Sequence, residues 1–415
     1  MASATLITHI GRLVGIHDHD TVLRGKQLSQ LPFLEDSFLL IEGDQIVSFG
    51  PMSSLEQMPI NGTHLIDAKG GYVLPAWCDS HTHLVFAATR EDEFVEKIKG
   101  RSYQEIAANG GGILNSAKKL AATSEDQLFN SAWQRLLEIS KMGTGTVEIK
   151  SGYGLSVEAE LKMLRVIKRL KERSSLVIKA TFLGAHTFPL LYKDDHAGYI
   201  RLIIDEMLPV IAAEKLADFI DVFCEEGFFS PEETEQICQA GLRHGLPAKI
   251  HGNQLHLSKG VQTAVKLKAI SVDHLETMDE ESIQLLASSN TIGTLLPNAA
   301  FFLRMSDPPA RQLIEAGAAI ALASDYNPGS APSGNMNWVL SQACIRMRML
   351  PEEAINAATL NGACALQTQH QCGSIRAGKR ADLIITKSIP SLAYLPYAFG
   401  QSCIEQVLVA GEPLF

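Results

Sequence analysis

Apolar and polar positions along the 415-residue chain fall into two textures. In the first 70 residues the apolar positions come as short β-rich runs, TLITHI, FLLIEGDQIVSFG and HLIDAKGGYVL, broken by Gly, Asp and Asn. Runs of this kind bounded by turn residues predict strands, and GDQ between FLLIE and IVSFG predicts a hairpin turn. The last 45 residues return to the same texture with ADLIITK and EQVLVAGEPLF. Neither end alone has enough strands to bury a core. The pattern therefore predicts one small β-sandwich domain built from both termini, residues 1–70 plus 371–415.

Between the ends, short apolar runs alternate with amphipathic stretches at helical spacing. The runs are YVLPAWCDSH, GTVEIKS, VIKATFLGAH, FIDVFCEE, AKIHG, AISVDHLE, TIGTLLPN and AIALASDYN, and SVEAELKMLRVIKRLKE is a typical connector. Strands alternating with helices imply a parallel sheet with right-handed crossovers. Eight of them predict an α/β fold of the (β/α)8 TIM barrel type over residues 71–370. After the eighth run, residues 334–364 predict two more helices. The second starts at Pro351, with Glu352 and Glu353 in its first turn.

In such barrels the chemistry sits where strands end and the following loops begin. The first run ends in His81-Thr82-His83, and the second in Lys150 with Tyr153 just beyond. The third ends in His186, the fourth in Glu225 and Glu226, the fifth in His251, the sixth in His274 and the eighth in Asp325, while the seventh ends in Pro297. Residues two apart on a strand share a side, so His81 and His83 can reach one metal. His251 and Asp325 complete a set of three nitrogens and one oxygen, which suits zinc or iron better than Mg²⁺ or Ca²⁺. His17-Asp18-His19 repeats the His-x-His spacing in an acidic, turn-like stretch and is expected to be a solvated loop.

Charge and cysteine usage narrow the setting. With 46 acidic and 36 basic residues the net charge is −10, which argues against nucleic acid or an anionic membrane as partner. The seven cysteines are odd in number, lack a Cys-x-x-Cys pair and fall mostly in apolar segments. They are expected as reduced thiols of a cytoplasmic protein. No run approaches the length of a membrane span, and the N-terminus does not read as a signal peptide.

The segments DSHTHLVFAATREDEF, GTVEIKSGYGL, TFLGAHTFP, DVFCEEGFFS, KIHGNQL, SVDHLE and LASDYNPGSAPS resemble the imidazolonepropionase family of the amidohydrolase superfamily. The closing GSIRAGKRADLII is similar to the superfamily's return into the small β-domain. The resemblance implies hydrolysis of 4-imidazolone-5-propanoate to N-formimidoyl-L-glutamate in histidine breakdown. It implies one zinc or iron ion held by His81, His83, His251 and Asp325, and a homodimer. It implies substrate contacts from Arg90, Tyr153, His186, Gln254, Asn327, Gly329 and Ser330.

Ring-amide hydrolysis then assigns roles. Asp325 would ligate the metal and carry the proton from water to the leaving nitrogen. His274 would donate to the carbonyl oxygen as charge develops there, or else buttress the metal shell. Arg90 offers a fork that matches the propionate; its alternative is a surface pair with Glu91 or Asp92. The NPGS turn after Asp325 would offer side-chain and backbone donors. Some family members carry Glu where this chain has Gln254, and an amide cannot act as a base, so Gln254 is assigned to ring recognition. Lys150 stands where two-metal amidohydrolases carry a modified lysine; here it is expected to pair with Glu148 or a Glu of the fourth run. Two rival readings stay open: an aminohydrolase acting on a purine-like ring, and a non-catalytic binding protein on the same barrel.

Overall fold

The computed structural model of the chain describes residues 4–57, 63–101, 105 and 111–414. Five strands come first: β1 (Ala4–Val14), β2 (Phe33–Glu42), β3 (Gln45–Pro51), β4 (His64–Asp67) and β5 (Tyr72–Pro75). The β2–β3 turn is Gly43-Asp44, with Gly43 at φ 61°, a conformation glycine adopts without strain. Three C-terminal strands, β14 (Leu383–Thr386), β15 (Ile404–Val409) and β16 (Glu412–Pro413), complete the sheet in the order β16-β15-β14-β5-β1-β2-β3, with β4 against β1. The small unit is thus one mixed hydrogen-bonded sheet rather than two facing ones. It curls round its own core, where Ile7, Leu39, Val73, Leu383 and Leu408 meet. Tyr72–Pro75 lies on the barrel side of the expected boundary at residue 70, yet it pairs within the small sheet, parallel to β1 and antiparallel to β14.

The eight predicted runs form the second sheet: β6 (Trp77–Asp79), β7 (Thr144–Lys150), β8 (Val177–Ala185), β9 (Phe219–Cys224), β10 (Ala248–Gly252), β11 (Ser271–His274), β12 (Ile292–Leu295) and β13 (Ile320–Leu322). They pair in sequence order, and every pair is parallel. The ends of the first and last strands are stitched together just beyond the ladders. Asp325 N–H donates to His81 O at 3.0 Å, and His83 N–H donates to Tyr326 O at 2.9 Å. Ser324 donates from both its amide and its hydroxyl to the Asp79 carboxylate, at 2.9 and 2.5 Å. Closure therefore runs through the backbones of candidate metal ligands themselves and of their neighbours.

Two local expectations change. Residues 334–364 hold three helices, Met336–Ile345, Pro351–Ala358 and Leu360–Ala365, because Thr359 leaves the helical region at φ −121°, ψ −91°. His17 is buried, and its Nε2 lies 3.0 Å from Asn356 Oδ1, while Arg376 and Lys379 hold neighbouring Asp20. The second His-x-His is thus part of the packing between the C-terminal helices and the small sheet, not a solvated loop. All seven cysteines are free thiols, and no helix among the described residues is long and apolar enough to cross a membrane.

Candidate metal and substrate site

The strand ends bring their histidines to one place. The ring of His81 lies 5.3 Å from His83, 4.5 Å from His251 and 5.6 Å from His274, centroid to centroid. Asp325 Oδ1 lies 3.5 Å from His81 Nε2 and 3.7 Å from His83 Nε2. Two groups of three could each hold a metal ion, His81 with His83 and Asp325, and His81 with His251 and His274. They share His81, and all five residues are buried. Of the four ligands expected from the sequence, His251 enters through the second group rather than the first.

The protonation of this cluster suits a cation. Burial, with the charge of Lys150 and neighbouring histidines, holds His81 and His251 well below the usual histidine range. Burial with His186 and His251 does the same to His83. The neutral imidazole is the form that ligates a metal. His81 Nε2 and His251 Nε2 are buried and have no hydrogen-bond partner among the described residues. Buried polar atoms are rarely left so, since each costs on the order of 1–3 kcal/mol. Such unpartnered nitrogens in one buried cluster, with Asp325 Oδ1 beside His81, fit a divalent ion.

Below the ligands lies a buried charged layer that the sequence only half revealed. Asp273 Oδ2 takes His81 Nδ1 at 2.7 Å, and Asp221 Oδ2 lies 3.0 Å from His251 Nδ1. Asp273 thus fixes His81 with Nε2 forward, as outer carboxylates do at metal sites, while Asp221 Oδ1 accepts the His251 backbone amide at 3.1 Å. Lys150 reaches Asp221 at 2.7 Å, Glu148 at 3.0 Å and Asp273 at 3.6 Å, and Lys249 reaches Glu148 at 2.7 Å. Lys150 does pair with Glu148, but its fourth-strand partner is Asp221. Glu225 instead accepts from the amides of Gln254 and Leu255 at 3.1 and 2.9 Å and pins the loop after β10, while Glu226 is exposed. Burial alone would pull Lys150 down; Asp221, Glu148 and Asp273 outweigh it and keep the ammonium charged. Lys150→Met leaves Asp221 without its lysine and Lys249 alone against Glu148 and Asp273, so chemical denaturation should show a loss of about 3–5 kcal/mol. A loss below about 1 kcal/mol, the worth of an exposed pair, would mean that the layer is not a charge network.

Two residues break strand alternation to face the site. His274 has φ 92° and Asp325 φ 55°, both left-handed conformations in which a residue with a side chain is strained. Alternation would set His274 opposite Asp273. The turn at the end of β11 instead lets Asp273 hold His81 from below while the His274 ring stays 5.3 Å from that of His251. Burial lowers His274, but the charge and hydrogen bond of Glu276 and the charges of Asp325 and Asp273 raise it overall. Its Nδ1 lies 3.4 Å from Glu276 Oε1, which leaves Nε2 for the cavity. Burial raises Asp325 to about 6, against the pull of His274. Asp325 Oδ2 accepts from Ser330 Oγ at 3.2 Å, so its two oxygens face different partners.

The cavity over this cluster is lined by His83, Tyr153, His186, Phe223, His251, Gln254, His274, Asp325, Asn327 and Ser330. His186 stacks on His83 at 5.3 Å, and its Nδ1 lies 3.1 Å from Gly152 O. Burial pushes it down to about 4, so it is neutral. The NPGS turn differs from expectation. Asn327 Oδ1 already accepts the amides of Gly329 and Ser330, both at 2.8 Å, and Asn327 Nδ2 is spent on Asp325 O and Ser330 Oγ. The turn is self-satisfied and builds a wall instead of presenting free donors. Gly329 matters because a Cβ there would collide with Arg90 Nη1. Arg90 pairs with Glu93, not with Glu91 or Asp92, and borders an adjoining hollow lined by Phe94, Phe302, Pro328 and Pro332.

The Amidohydrolase family profile matches residues 72–414. Imidazolonepropionases from Flavobacterium johnsoniae and Flavobacterium psychrophilum are 54% and 53% identical to the chain, each alignment covering 98% of this chain and 99% of the relative. The chain belongs to the imidazolonepropionase family. A more distant imidazolonepropionase from Geobacillus kaustophilus is 41% identical over 93% of this chain and 92% of its own. Solved structures show how widely the family's fold is shared. An adenosine deaminase from Xanthomonas campestris with bound zinc superposes with a TM-score of 0.71 at 18% identity, over 99% of this chain and 92% of that one. E. coli guanine deaminase does so with a TM-score of 0.71 at 14% identity, over 99% of both chains.

Proposed function

We propose that the chain hydrolyses the ring amide of 4-imidazolone-5-propanoate to N-formimidoyl-L-glutamate, the ring-opening step of histidine degradation. The observation that carries this is full-length identity above half to relatives of that one name. The ion would be one zinc or iron held by His81, His83, His251 and Asp325. When bound, such an ion polarises a carbonyl and makes water a nucleophile at neutral pH.

The chain's own groups supply the rest. Asp325 Oδ2, turned away from the histidines, takes the proton of the attacking water and delivers it to the ring nitrogen as the amide C–N bond breaks. Ser330 Oγ orients that oxygen. His274 donates from Nε2 to the carbonyl oxygen as charge develops, and Glu276, beside Nδ1, favours its imidazolium form. Tyr153, His186 and Gln254 bind the ring and its substituents from the opposite wall, and Asn327 and Gly329 shape the side where Arg90 takes the propionate. The same reading makes the protein a cytoplasmic homodimer with a small-molecule substrate and with neither nucleic acid nor membrane as partner.

Mass spectrometry of the product tests it: the substrate should gain one water and yield N-formimidoyl-glutamate, and release of ammonia from an intact ring would overturn the reading. Arg90→Ala should weaken substrate binding by roughly 1.5–3 kcal/mol, seen chiefly in KM, as a charged hydrogen bond is lost. An unchanged KM would place the carboxylate elsewhere.

A further inference from the structure

The helix Glu91–Ile98 sits at the mouth of the site and buries none of its residues. At its start stands the i,i+3 pair of Arg90 and Glu93, in which each side chain is only 12% exposed. Glu93 Oε2 accepts from Arg90 Nη2, while Glu93 Oε1 accepts the Gly112 amide at 2.9 Å. Glu93 therefore gives the guanidinium a single oxygen. Arg90 Nε is buried without a partner among the described residues, and Nη1 lies against Gly329. A guanidinium binds a carboxylate best through two parallel N–H groups. Arg90 thus carries a carboxylate supplied by the protein, in a geometry weaker than one it could accept.

We propose that Glu93 competes with the carboxylate of the substrate for Arg90 and keeps the guanidinium paired until that carboxylate displaces it. This rests on the functional reading above. An incoming carboxylate replaces one anion by another on the same cation, so the buried guanidinium never loses its counter-charge. A neutral side chain cannot make that exchange without leaving Arg90 unpaired, which is costly in a buried place. The displaced Glu93 has a second cation within reach. Lys97 feels the charges of both Arg90 and Glu93, and its Nζ donates to Gly329 O at 3.2 Å.

The test uses metal-loaded enzyme and Glu93→Gln, which keeps the acceptor for Gly112 but removes the charge. KM for imidazolonepropionate should fall by about 3- to 10-fold, the loss of a charged competitor. Inhibition by the analogue in which a carboxamide replaces the carboxylate should change by less than about two-fold, since no counter-ion is exchanged. Lys97→Met, which removes the second cation, should raise KM. An unchanged or higher KM in Glu93→Gln, or an equal gain for the carboxamide, would overturn the proposal and make Glu93 a group that orients Arg90. An unchanged KM in Lys97→Met would overturn the exchange. If wild-type enzyme does not open imidazolonepropionate, the functional reading fails instead.

Discussion

Asp325→Ala is expected to abolish turnover, by at least about 10³-fold in kcat, while the barrel stays folded. Two losses combine in one residue. Oδ1, 3.5 and 3.7 Å from the imidazoles of His81 and His83, would be the anionic member of the proposed ligand set. Oδ2, held by Ser330, is the group placed to move the proton. The backbone there is stitched to β6 by main-chain bonds that alanine keeps, although φ 55° strains any residue other than glycine. Steady-state kinetics beside a thermal melt separates the two effects. Wild-type-like kcat in a folded variant would remove Asp325 from the mechanism.

Metal removal should have the second largest effect. Dialysis against a chelator should eliminate ring opening, and either zinc or ferrous iron should restore it. The same treatment should lower Tm, because an ion at about 100 times its Kd adds roughly 2.7 kcal/mol to the folded state. The physical origin is the set of buried imidazole nitrogens, among them His81 Nε2 and His251 Nε2, that have no partner among the described residues. Calorimetry of the stripped and reloaded protein reads this independently of turnover. A stripped protein with unchanged Tm and full activity would mean that the cluster holds no functional ion.

The sequence announced the parts of this site that lie at strand ends. Eight apolar runs at regular spacing give the barrel, and barrel topology gathers His81, His83, His251, His274 and Asp325 without any knowledge of contacts. It did not announce Asp221 and Asp273. Both lie inside apolar strands, Asp221 between Ile220 and Val222, and strict alternation would set Asp273 opposite the more conspicuous His274. Only the left-handed turn at His274 brings both to the same centre. Glu93 was hidden differently. It is one of four acidic residues within seven positions after Arg90, and which of them meets the guanidinium depends on where the helix starts. The NPGS turn carries a second signal beside the one read from sequence: a turn of Asn, Gly and Ser can satisfy its own amides, as Asn327 does. The boundary at residue 70 moved because Tyr72–Pro75 and Trp77–Asp79 form one apolar run in sequence, and only sheet pairing separates them.

The fold alone does not choose a substrate, since deaminases of adenosine and guanine share it. The most direct test is therefore a side-by-side absorbance assay of metal-loaded protein on 4-imidazolone-5-propanoate, guanine and adenosine. Efficient loss of the imidazolone chromophore is expected, with no measurable turnover of either purine. Turnover of an aminopurine with the imidazolone untouched would contradict it.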